Sequence, residues 1–289
     1  MSAETLGRKY WNRRGNIQIE GYGDVLSGLD FKFEIKKVGS LYSRFKLSIL
    51  GLTSDTINEL TVWNPVDASS IAREVIISAG YEGDKITSPI CRGFIYNAIP
   101  TPPPEMWLNM DCMISLKGGV PISAPRMFCD TEAKSILDYM SAQCDFNWNW
   151  KSVNMSVDKK INFNVDGNRN DIVQKFADSF GLIAVMDDEG DIAFYDEKPW
   201  ANNVPTENDR HSIPNINMDN GLLAIGGVDM KGATIRVRLD DSYRTFEWVY
   251  LESKLIPKAS GFYFVLEKRH VGHFRGDEWY TELSLRRKY

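Results

Sequence analysis

No apolar run in this chain approaches the roughly 18 to 20 residues that a membrane-spanning helix needs. The first fifteen residues, Met1 to Gly15, are polar and basic with no apolar segment behind them, so no secretory signal is expected. Basic residues are not in excess: 34 Lys and Arg stand against 39 Asp and Glu, a formal charge of -5, which gives no support to sequence-specific nucleic-acid binding or to an anionic-membrane anchor. Cysteine is sparse. Cys91, Cys112, Cys129 and Cys144 are too evenly scattered for paired zinc ligands and read as free thiols made in a reducing cytoplasm. A Gly-x-Ser-x-Gly elbow, a Walker loop and a dinucleotide fingerprint are all lacking, so the common signatures of hydrolases, NTPases and dehydrogenases do not apply.

Aromatic residues are plentiful, with 8 Trp, 12 Tyr and 14 Phe, a composition suited to strands and packed interfaces. The alternation of Leu29, Phe31, Phe33 and Ile35 with charged neighbours, repeated by Phe45, Leu47 and Ile49 after Gly39 and Ser40, predicts a hairpin with one wet face. Thr53, Ser54 and Asp55 offer a cap for a helix over 55–61. Strands are expected at 72–78, ending in Ala79-Gly80-Tyr81, then at 90–95 and 106–116, where Cys112 shares the apolar phase. Pro100 to Pro104 should form a stiff loop outside any ladder.

From about residue 125 the pattern changes. Asp130 or Thr131 can cap a helix to Ala142, Phe146 to Trp150 alternates like a strand, and a second helix is predicted over 169–180 with Gly181 at its C-terminal cap. Leu182 to Met186 and Asp191 to Tyr195 then flank the acidic turn 187–190 as a β-hairpin. A polar connector spans 198–220, and strands return at 233–239, 245–251, 261–268 and 278–286. The chain is thus mainly β with an α+β insert.

The closing stretch holds Phe262-Tyr263-Phe264-Val265, a connection containing Gly272 and Gly276, and Asp277-Glu278-Trp279-Tyr280-Thr281-Glu282-Leu283. With Phe31 to Ile35, Val75 to Tyr81, Ile90 to Ile95, Gly221-Leu222-Leu223 and Tyr250 to Ser253, it resembles the central baseplate hub family of phage tails, and also the hub part of spike proteins in contractile injection systems. The resemblance implies two tail-tube-like β-barrel domains, at 1–124 and 201–289, and a small helix-hairpin domain at 125–200. It further implies a structural virion protein made in the bacterial host cytoplasm and built into the tail baseplate. Such a hub is a homotrimer joining the tail tube protein to the central spike protein around the DNA and tape-measure channel. The tape-measure protein and neighbouring baseplate proteins would be its further contacts. No catalytic, cofactor-binding or metal residues are expected. The Arg8 to Arg14 cluster has no counterpart in the resemblance.

Three sharper readings compete with plainer ones. His270 and His273, near Asp277 and Glu278, offer zinc-ligand chemistry, or they decorate a hairpin end. Asp187 to Asp191 offers carboxylates to calcium, but without EF-hand spacing it reads as an acidic glycine turn. Phe146, Trp148 and Trp150 can stack sugars or bases, or fill a core or a subunit interface. The alternative functions carried with these are a cell-wall glycan hydrolase, since acid pairs abound, and a carbohydrate-binding module of a phage tail. Trp279 is expected to face inward, on the alternation of the closing strand.

Overall fold

Period-two alternation places most of the strands. The computed structural model describes residues 12–22, 28–41, 43–61, 73–82, 89–114, 121–187 and 190–287. Part of the basic N-terminal cluster, Asp188 and Glu189 lie outside them. In the first set, β1 (Arg13–Ile19), β2 (Asp30–Val38) and β3 (Arg44–Leu50) are followed by helix α1 (Ser54–Leu60), β4 (Glu74–Tyr81), β5 (Cys91–Pro100) and β6 (Trp107–Met113). The β2–β3 hairpin forms in the expected register, Phe31 opposite Ile49, Phe33 opposite Leu47 and Ile35 opposite Phe45. Thr53 Oγ1 caps α1 by accepting from the Thr56 N–H at 3.2 Å. The ladder runs one residue into the proline loop: Pro100 pairs with Leu108 as the last residue of β5, and the loop begins after it.

The insert holds β7 (Arg126–Glu132), α2 (Ala133–Cys144), β8 (Trp148–Trp150), β9 (Lys160–Val165), α3 (Arg169–Phe180), β10 (Leu182–Met186) and β11 (Ile192–Asp196). Here one expectation fails. Asp130 and Thr131 do not cap α2; both lie in β7, which pairs with β9 across a register shift, and Asp130 sits there at φ 46°. The helix starts two residues later, after Glu132, because the ladder claims the residues before it. The second helix and its glycine stop match the expected positions: Gly181 adopts φ 65°, the left-handed cap a glycine favours. β10 and β11 make the hairpin, and β8 joins β11 in parallel. The insert packs on the β2–β3 turn, where the Asn170 side chain donates to the Leu41 carbonyl at 3.0 Å.

The last set comprises β12 (Asn215–Ile216), β13 (Leu222–Val228), β14 (Gly232–Arg238), β15 (Trp248–Leu251), β16 (Gly261–His273) and β17 (Trp279–Arg286). β16 is longer than expected and takes in Gly272, so the connection to β17 begins only after His273. The first and last sets form one sheet in the order β1-β4-β5-β6-β3-β2-β16-β17-β14-β13, with β15 and β12 to the side. Among the described residues neither set closes into a hydrogen-bonded barrel. The reason is competition for edges: β2 pairs with β16 rather than with β1. One edge of β16 carries β17, while the other carries β15 along Gly261–Phe264 and β2 along Glu267–His273. The inward side chains of β1 to β6 nonetheless share one buried cluster with the insert core and with Trp279 of β17, whereas the other inward residues of β12 to β17 largely enclose a second.

Candidate functional site at the seam between the strand sets

The residues that join the two strand sets are the place where the sequence's separate signals meet. The seam runs along β2 and β16. The inward side chains of β2 are Phe31, Phe33, Ile35 and Lys37, and opposite the last three stand Gly272, His270 and Lys268. The seam therefore passes from aromatic at one end to ionic at the other.

At the aromatic end, Phe31 stacks on Phe274 at 5.0 Å, and Phe33 meets Trp279 edge-on at 5.7 Å. Two glycines make this possible. A Cβ on Gly272 would lie 2.3 Å from the Phe33 ring, and one on Gly15 would lie 2.4 Å from Phe31. Trp279 is 4% exposed, as its place in the closing strand predicts. Its indole N–H donates to the Gly80 carbonyl at 3.2 Å, and the Tyr81 hydroxyl donates to the Trp279 carbonyl at 3.2 Å. The Ala-Gly-Tyr end of β4 thus grips the start of β17. Arg13 adds a second grip, donating to the carbonyls of His273 and Gly276 in the hairpin turn while lying 5.5 Å over the Trp279 ring. Side chains, not a ladder, bring β1 and β4 back onto the closing hairpin.

At the ionic end, the carboxylate of Asp241, just past β14, gathers three partners from both strand sets. Lys37 reaches it at 3.3 Å and also donates to the Ile90 carbonyl at 3.0 Å. Lys268 pairs with the same Oδ1, and His270 Nε2 lies 3.1 Å from it. A carboxylate only accepts, so Nε2 donates to it, and Nδ1 lies 2.9 Å from the Thr281 hydroxyl, which is also 3.2 Å from the Asp240 carbonyl. His270 is fully buried, and burial pushes its pKa down to about 4 despite the neighbouring carboxylate; Lys268 and Lys37 add to the effect. Burial alone would raise the Asp241 carboxyl, but the hydrogen bond from His270 and the two ammonium groups hold it well below the usual carboxylate range. At neutral pH the centre is one carboxylate, two ammonium groups and a neutral imidazole. It binds strands together.

The structure separates the histidines that the sequence brought close. Three residues apart on a strand, they face opposite sides of the sheet. His273 Nε2 lies 3.2 Å from Asp30, away from His270, while Asp277 and Glu278 sit exposed in the turn. Among the described residues no group of three or more His, Cys, Asp or Glu is placed to hold a metal. In the acidic turn, Asp187 Oδ1 accepts from the Asp191 N–H at 2.9 Å, and Asp191 accepts from Asn147 at 3.0 Å. Phe146 is buried in the insert core, and half-buried Trp150 packs against it between Phe180 and Phe194 at 5.8 Å each. Half-buried Trp148 donates its indole N–H to Asp138 at 3.0 Å. Cys91, Cys112 and Cys144 are buried free thiols, and Cys129 is an exposed one.

A family model described as Baseplate hub gp41 matches residues 16–284. No curated protein matches the chain significantly. Among solved structures, the chain is similar to the 43 kDa tail protein of prophage MuSo2 from Shewanella oneidensis, at 9% identity and TM-score 0.60 over 96% of this chain and 98% of that one. A tail protein from Neisseria meningitidis MC58 is similar at 9% identity and TM-score 0.61, covering 96% and 97% of the two chains. The Escherichia coli c3393 protein, a type VI secretion component described as structurally similar to T4 bacteriophage tail proteins gp27 and gp5, matches at 9% identity and TM-score 0.56, over 94% of this chain and 76% of that one. At such identity these likenesses establish the fold alone.

Proposed function

The chain belongs to the Baseplate hub gp41 family, and on that premise we propose that it works as a structural adaptor in a phage tail, a homotrimer joining tail tube to central spike around the channel, without enzymatic activity. The observation that carries this reading is the continuous sheet. Two strand sets share it, joined at β2 and β16, and β1 and β13 stand at its two ends. Three copies of such a chain supply six strand sets, so a threefold ring presents near-sixfold symmetry to a tube. Strand edges that are liabilities on a monomer become joints in a ring.

In this reading the domains are two tube-like units, 1–124 and 201–289, with the insert 125–200 between them; the first boundary lies just before β7 and the second past β11, within the short 3-10 helix Pro199–Ala201. The outward face of the sheet suits a channel wall. Three of its cations are tied to carboxylates, Arg269 to Glu34 at 2.9 Å, Arg236 to Glu282 at 3.1 Å and Lys36 to Glu267 at 3.0 Å, and are thereby less open to passing phosphates. Spike and tube proteins are the proposed partners, with the tape-measure protein inside the ring.

Light scattering on purified chain tests the ring. A mass of three times 32.9 kDa is expected, alone or once spike protein is added. A chain that stays monomeric with both spike and tube proteins present would sink the proposal.

A further inference from the structure

A groove of about 830 Å³ opens where the two strand sets meet at the far side of the closing hairpin, beside the start of β13. Its floor is apolar and rigid, made by Trp279, Tyr81 and Phe274, whose packing at the seam is described above. Its wall toward β13 carries Met218, 55% exposed, and Leu223, 59% exposed. Its rim is basic. Among the described residues Arg13, Arg14, Arg238 and Arg275 line it with one carboxylate, Glu82, which pairs with Arg14 at 3.3 Å, while Arg238 lies 3.7 Å from Asp240; the cations stay in excess in a chain whose net charge is -5. Basic charge is thus concentrated where the rest of the chain is acidic.

The strand beside the groove adds a second, independent feature. β13 pairs only with β14 among the described residues, so its other edge is open. From Leu222 to Val228 it carries no charged residue and no proline, two of the usual guards of an exposed edge, and its guards are the register shifts at Leu222/Ala224 and Ile225/Gly227 in its pairing with β14. Val228 is 42% exposed, and Met230 in the turn beyond is 86% exposed.

We propose that this groove docks an extended segment of another protein, apolar at its centre and acidic at its ends, added as a strand to the open edge of β13. The segment's backbone pairs with β13, its apolar side chains cover Leu223 and the Phe274 floor, and its carboxylates meet Arg14, displacing Glu82, and the remaining donors of Arg275, which also donates to the Gly28 carbonyl. A phosphate backbone fits the arginines but has no use for an apolar floor or a strand edge. The groove lies within one chain and does not require the ring, so the two proposals stand or fall separately.

The test is fluorescence anisotropy of the full chain with a labelled peptide, Asp-Asp-Ile-Val-Ile-Asp-Asp. We expect saturable binding that weakens with salt, and no binding of the same peptide with Lys in place of Asp. Arg14→Glu, at a side chain 61% exposed, should weaken binding by about tenfold or more, and so should Leu223→Lys; both keep the wild-type melting curve. Equal binding of the Lys peptide, displacement by a single-stranded oligonucleotide, or full affinity in both variants would overturn the proposal. So would a change in solution mass on Arg14→Glu without loss of peptide, since the occupant would then be a second copy of the chain.

Discussion

The two ends of the β2–β16 seam solve one problem in opposite ways. Both must fasten residues that are more than two hundred positions apart. The aromatic end does so with Phe31, Phe33, Phe274 and Trp279, whose attraction is large, non-directional and indifferent to pH. The ionic end places Lys37, Lys268 and His270 around one carboxylate, where each group is costly unless the others are in place. Apolar packing supplies strength, but a slipped strand still packs tolerably. A buried charge does not tolerate slippage, because moving β2 by one residue swings Lys37 to the other face and leaves Asp241 with fewer partners. The difference teaches that the seam is held by one end and aligned by the other, a division suited to a part that must keep its shape under load.

The comparison is sharpened most by cutting the aromatic end. Trp279→Ala removes a nearly buried ring that touches Phe31, Phe33 and Phe274, and should cost about 3–5 kcal/mol in urea or thermal unfolding. A wild-type melting curve would mean that the aromatic end holds nothing together.

Acid should attack only the ionic end. The folded-state pKa of His270 is lowered to about 4 from 6.5, so between these values the unfolded chain takes a proton that the folded chain refuses. Stability is therefore full above about pH 6.5 and is lost as pH falls toward 4, by roughly 3 kcal/mol for a shift of this size. Asp241, whose pKa is also lowered, adds loss only below the ordinary carboxylate range. Chemical denaturation at pH 7.5 and pH 5 measures the slope, and His270→Gln should flatten it. Hydrogen exchange locates it: amides around Lys268 to His270 should open at pH 5 while those around Gly272 stay protected. Uniform opening along β16 would erase the distinction between the ends.

Local signals made much of the fold legible. Gly181 after a helical apolar stripe fixed the end of α3, and the acidic turn between two apolar runs fixed the β10–β11 hairpin. β1 and β13 went unread because Asn16, Gly226 and Gly227 interrupt their patterns, and their pairing supplies what propensity does not. The seam itself is a long-range pairing that no local window contains. One clue to it was present. The phase that turns Phe31, Phe33 and Ile35 inward turns Lys37 inward too, and a lysine on a core face demands a buried partner. Asp241 carries no comparable mark, since it follows a strand like many exposed turn acids.

The wet face gives the smallest effect and the cleanest contrast. Directly behind the buried centre, Arg269 on β16 bridges Glu34 on β2 at 2.9 Å and Glu282 on β17 at 3.7 Å, so a second ionic link crosses the same seam in water. Its side chains are between about a quarter and a half exposed, where solvent screens the charges and ordering long side chains offsets much of the attraction. A double-mutant cycle on Arg269→Ala and Glu34→Ala should give a coupling of about 0.2–1 kcal/mol that shrinks in 1 M salt. If the coupling instead rivals the cost of Trp279→Ala, the outer ladder fastens the seam as strongly as its core, and the ionic contribution to the joint belongs to both faces of the sheet rather than to the buried end alone.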